Sequence, residues 1–84
     1  MTKPKLVTVK AIDIKTGKKS IPCKCPIALA VCRAMRLPVG EVSVMNEIVV
    51  GSVWFKLTKK ADRFIERFDS GQSVKPFSFY LRRA

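Results

Sequence analysis

The sequence predicts a small α+β domain, an antiparallel sheet of about four to five short strands packed against two helices in the order β-α-β-β-β-α-β. Three observations carry that prediction. Residues 58–71 read as a helix with a stop: Ala61, Phe64, Ile65 and Phe68 fall at i, i+3, i+4 and i+7, the apolar stripe of a helix lying on a core. After the stop, Phe77, Phe79 and Leu81 alternate with Ser78, Tyr80 and Arg82, the pattern of a strand with one buried face. Residues 26–32 are apolar nearly all round, as the most buried helix of a domain should be. A chain of 84 residues makes one domain, 1–84, with a thin margin of stability.

The elements follow in chain order. Residues 1–5 are expected to form a flexible basic arm. Residues 6–11 suit a strand, with Val7, Val9 and Ala11 on one face and Leu6, Thr8 and Lys10 on the other. Residues 12–15 fit one helical turn that Gly17 would end, and Lys15, Lys18 and Lys19 fall in the basic loop that follows. Gly17-Lys18-Lys19-Ser20 resembles a phosphate-binding loop only superficially. That loop needs a glycine where Ile12 stands and a hydroxyl where Lys19 stands, so the nucleotide reading is rejected.

Pro26 suits the first turn of a helix running to Arg36, and Pro38 and Gly40 end it. Arg33 and Arg36 mark its one wet stripe, while Ala28, Ala30 and Ala34 would let it approach a sheet closely. Residues 41–45 and 47–50 are short β-prone runs separated by Asn46, a residue that tolerates a tight turn. In residues 52–57, Val53, Phe55 and Leu57 alternate with Ser52, Trp54 and Lys56. Thr58 can then cap the last helix and Gly71 can end it.

The net charge of +11, from 17 Lys and Arg against 6 Asp and Glu, concentrates polyanions around the molecule. Nucleic acid leads as a partner class, an acidic protein follows, and no membrane partner is expected. Solubility is the plain alternative use of such a charge. The excess is greatest at the start, where residues 1–24 hold seven Lys and a single Asp. The longest apolar run, residues 26–32, is far too short to span a bilayer, and no secretory pattern follows the first residues. A cytoplasmic location is therefore expected.

Enzymatic chemistry is not expected. The chain has no histidine, so a general base would have to come from scattered carboxylates or a lysine. Cys23, Cys25 and Cys32 are too few for a tetrahedral zinc set without histidine, and the Cys23-Lys24-Cys25 spacing is not that of a zinc knuckle. They read as small packing residues with one thiol facing solvent. No metal and no cofactor are expected.

Two surface features point to binding. On the helix after Thr58, a turn of about 100° per residue places Lys59, Lys60, Arg63 and Arg67 along one flank, with Asp62, Glu66 and Asp69 along the other. Lys59 and Lys60 stand in the first turn, against the preference of the helix dipole, which suggests another use. An ordinary solvated face, with Arg63 and Glu66 paired, is the plain alternative. On the sheet, Trp54, Lys56, Tyr80 and Arg82 would share the face opposite the core, and Lys10 can join them. Rings set among cations suit stacked bases and held phosphates. The same residues suit a protein interface, or simple packing beneath the N-terminal segment. A homodimer formed through the Trp54 face would cover the platform.

The runs Cys25-Pro26-Ile27-Ala28-Leu29-Ala30 and Phe64-Ile65-Glu66-Arg67-Phe68-Asp69-Ser70-Gly71-Gln72-Ser73-Val74-Lys75-Pro76-Phe77-Ser78-Phe79, with Val42-Ser43-Val44 between them, resemble a group of small bacteriophage and prophage-type proteins. The resemblance implies a phage or prophage setting, and with it the host cytoplasm, but no activity. The high charge departs from the group's outline, so a nucleic-acid role rests on the residues themselves. The expected function is that of a non-enzymatic basic accessory protein binding DNA or RNA through Lys15, Lys18, Lys19, Trp54, Lys56, Lys59, Lys60, Arg63, Arg67, Tyr80 and Arg82. The alternative is a host-protein-binding inhibitor or anti-defence factor that uses the same residues on an acidic partner.

Overall fold

The computed structural model describes residues 4–84. Strand β1 (Lys5–Val9) is followed by a short helix α1 (Ala11–Thr16) and the central helix α2 (Pro26–Met35). Strands β2 (Val42–Val44), β3 (Glu47–Val50) and β4 (Val53–Lys56) follow, then helix α3 (Lys59–Asp69) and strand β5 (Phe77–Leu81). The α+β class and the antiparallel pairing stand. The turn expected at residues 12–15 is a third helix of six residues.

Local chemistry explains most boundaries. The first strand stops at Val9, not at Ala11, because the Asp13 carboxylate accepts the Lys10 backbone N–H at 2.8 Å and turns the chain into α1. Ala11 is accordingly helical and exposed, whereas Val7 and Val9 are buried as expected. Gly17 ends α1 by lack of bulk: a Cβ there would lie 2.7 Å from the Asp13 carbonyl oxygen and from the Pro26 ring. In α2, Pro26 occupies the first turn and the Cys25 sulfur accepts the Ala28 N–H at 3.4 Å. Arg36 closes that helix in the left-handed region at φ 57°, a position usually left to glycine. The Thr58 hydroxyl accepts the Ala61 N–H at the start of α3, and Gly71 leaves its end at φ +82°.

The strands form two antiparallel sheets, β1-β5 and β2-β3-β4. Val7 faces Phe79 and Val9 faces Phe77 in the first, while Ile48 faces Phe55 and Val49 faces Trp54 in the second. The residues after β5 join them. Lys56 donates its N–H to the Arg82 carbonyl at 2.8 Å, Ala84 donates to the Trp54 carbonyl at 3.0 Å, and Phe55 bridges Arg83. The strand order is therefore β1-β5-β4-β3-β2, with a short seam between β5 and β4. Lys5, assigned by sequence to the arm, pairs with Leu81 in β1, and Pro4 is exposed and precedes the strand; residues 1–3 of that expectation lie outside the described residues.

Helix α2 packs against both β1 and β2, the two outermost strands, so the sheet must curl around it. Ile27, Ala28 and Val31 of α2 are fully buried among Val7, Val9, Val42 and Ile48. Helix α3 adds Ala61, Phe64 and Phe68, with the Phe64 ring 4.8 Å from that of Phe77. The ring of Phe77, with those of Phe79 and Phe64, thus marks the inner face of the sheet. Ser78, Tyr80 and Arg82 point away from it by the alternation of the strand.

Candidate nucleic-acid interface

The residues singled out by sequence fall into three groups. Trp54, Lys56, Tyr80 and Arg82 do share the outer face of the sheet. Strand parity requires it: Phe55 and Arg83 bridge on the inner side, so Lys56 opposite Arg82 and Trp54 opposite Ala84 project outward. Trp54 is 55% exposed and Tyr80 51% exposed, so neither ring is a core residue. The Arg82 guanidinium lies 5.9 Å from the centre of the Tyr80 ring. Leu6 faces Tyr80 across β1-β5, and Val49 faces Trp54 across β3-β4, giving the platform apolar neighbours.

The second group lies on the other side of the sheet. Lys60, Arg63 and Arg67 line an open groove of about 520 Å³ between α3 and the segment leading into β5. Phe64, Val74 and Phe77 supply its apolar floor, and Lys75 adds a fourth cation. No carboxylate lines it. The Lys60 ammonium sits 5.5 Å from the centre of the Phe77 ring, which accounts for a lysine in the unfavourable first turn of α3. Lys59 is exposed at the same helix end but does not line the groove. Arg63 and Glu66 do not pair: among the described residues the one ion pair is Arg33 with Asp13.

Lys15, Lys18 and Lys19 form the third group, exposed at the end of α1 and in the loop after it. This loop is anchored to the end of α3. Ser20 donates its N–H to the Asp69 carboxylate at 2.9 Å, and the Lys19 ammonium lies 3.2 Å from where a Cβ on Gly71 would stand. A cation at a helix C-terminus is favourable there, which gives Lys19 a structural use.

Arg33 is not simply a wet stripe residue. Its guanidinium grips the buried Asp13 carboxylate with bonds of 2.6 and 2.8 Å and also donates to the Thr8 carbonyl at 2.8 Å. The Asp13 contact holds the arginine above its ordinary pKa. Cys25 and Cys32 are buried, and burial pushes both thiols up, away from nucleophilic use. Cys23 is half-buried. Among the described residues no His, Cys, Asp or Glu cluster could hold a metal. No helix there is long and apolar enough to cross a membrane.

Sequence reasoning missed Lys75, Ser73, Val74 and the floor role of Phe64 and Phe77. Lys75 lies in a connection with no periodicity, so only its closeness to Pro76 and Phe77 in the chain hinted at its place. It also missed a second groove of about 780 Å³ beside the seam, where Lys5, Arg82 and Arg83 rim a floor of Met35, Phe55 and Leu81.

The class these features define is a small basic α+β protein with an open sheet face bearing aromatic and cationic side chains. Compared with known proteins, the chain matches no family model, no curated protein and no solved structure.

Proposed function

We propose that the protein is a non-enzymatic accessory factor, of bacteriophage or prophage type and acting in the host cytoplasm, that binds DNA or RNA through the outer face of its sheet. One observation carries this reading: Trp54, Lys56, Tyr80 and Arg82 lie on one exposed face, with Lys56 and Arg82 adjacent across the seam. Unpaired bases stack on the two rings while the cations hold phosphates. The net charge of +11 supplies the long-range attraction. Exposed Lys15, Lys18 and Lys59 add to the positive field of the molecule as a whole.

The test is fluorescence titration of Trp54 with random single-stranded DNA and RNA across a salt series. Binding should quench the tryptophan and weaken steeply with salt. Tyr80→Ala should cost about 1–3 kcal/mol of binding free energy. Absence of any binding at about 50 mM salt would remove the reading.

Leu6, 52% exposed beside Tyr80, favours a second reading. Nucleic acid has little use for an aliphatic neighbour, whereas a protein interface does. In that reading the face docks on an acidic host protein as an inhibitor or anti-defence factor. A pull-down from nuclease-treated host lysate separates the two, since a partner kept after nucleic acid is digested supports the second.

A further inference from the structure

We propose that the groove between α3 and the segment before β5 is a second, independent nucleic-acid contact, so that one molecule holds two nucleic-acid segments at once. The proposal rests on the reading of the sheet face given above and extends it to the opposite side of the fold. The groove gathers Lys60, Arg63, Arg67 and Lys75 with no carboxylate among its lining residues. Its volume of about 520 Å³ is within the range of pockets that take a small organic group. The floor of Phe64, Val74 and Phe77 offers apolar contact to a base or sugar, and the cations around it match a run of phosphates.

Position makes the site separate. Phe77 belongs to the inner face of β5 and contacts Phe64 of α3, so the groove opens on the helix side. Trp54 and Tyr80 project from the outer side, with the sheet between. No cation of either group is in an ion pair among the described residues, where the one such pair is Arg33 with Asp13, which lines neither surface. Two positive surfaces on opposite sides of one small domain form a cross-bridge between two polyanions.

The experiment immobilises one oligothymidylate and measures retention of a second, labelled one by the full chain, beside the Trp54 quenching titration. Wild type should retain the second strand. Arg63→Gln with Arg67→Gln should reduce retention to background while leaving quenching by the first strand within about threefold. Lys24→Gln with Arg36→Gln removes the same charge outside both surfaces and should retain the second strand. Lys75→Gln, on the connection instead of the helix, should act in the same direction as the arginine pair. Quenching without retention by wild type overturns the bridge and leaves the sheet reading intact, as does retention that survives Arg63→Gln with Arg67→Gln. No quenching and no retention overturns both.

Discussion

Asp13 performs two tasks with one carboxylate: it turns the chain into α1 by accepting the Lys10 N–H, and it holds Arg33. It is the one buried charged residue among those described, 3% exposed. Asp13→Asn keeps an acceptor but loses the charge, and should cost about 1–3 kcal/mol. Arg33→Met leaves the carboxylate buried without its counter-charge and should cost more, approaching 3–5 kcal/mol. Urea denaturation gives both values, and the reverse ranking would contradict the assignment. The pair was not legible in the sequence because its partners stand twenty residues apart, on helices with different apolar faces. The cysteines were more legible, since crowding without histidine already argued for packing. In native protein at about pH 8, Cys23 should react with a thiol reagent promptly and Cys25 and Cys32 only on unfolding. Their folded pKa values are raised above the ordinary 9.0, so their contribution to stability is full below that pH and is lost as pH rises through the raised values. Between about pH 8 and pH 10, wild type should therefore lose more stability than Cys25→Ala with Cys32→Ala, followed by urea midpoints.

At the scale of elements, the apolar periodicity of α3 and the alternation of β4 and β5 were written plainly, because in each the buried face is set by spacing alone. Which residues share the outer face followed from the same alternation. The ends were less legible. Val9 was separated from Ala11 by a carboxylate three residues beyond Lys10, and α1 was held by Gly17 through a contact with Pro26 that no local pattern reveals. The Thr58 cap of α3 and the glycine after α1 differ in tolerance. Thr58→Ala removes one capping bond and should cost about 1 kcal/mol. Gly17→Ala drives a methyl into backbone and a proline ring, neither of which yields easily, and should cost about 1–3 kcal/mol. Equilibrium denaturation of the two variants checks the order, and a Gly17→Ala protein as stable as wild type would mean that α1 and α2 can separate freely.

For the whole molecule, charge opposes folding and, under the proposed function, favours binding. A net charge of +11 with one ion pair among the described residues leaves the folded state repelling itself. Raising salt from about 50 to 500 mM should therefore raise the melting temperature while weakening nucleic-acid binding. A melting temperature that falls with salt would show that attractive pairs dominate. The total charge was readable at once; its division between the outer sheet face and the α3 groove was not, since no periodicity links residues 63 and 75 across the turn between them. Nor did the strand pattern reveal that the sheet is divided. Tyr80 belongs to the two-stranded part and Trp54 to the three-stranded part, and two backbone hydrogen bonds at the seam tie one to the other. The gap between the rings is thus set by a joint and not by a ladder. The placement of Trp54 relative to Tyr80 therefore rests on residues 82–84, which carry both of those bonds.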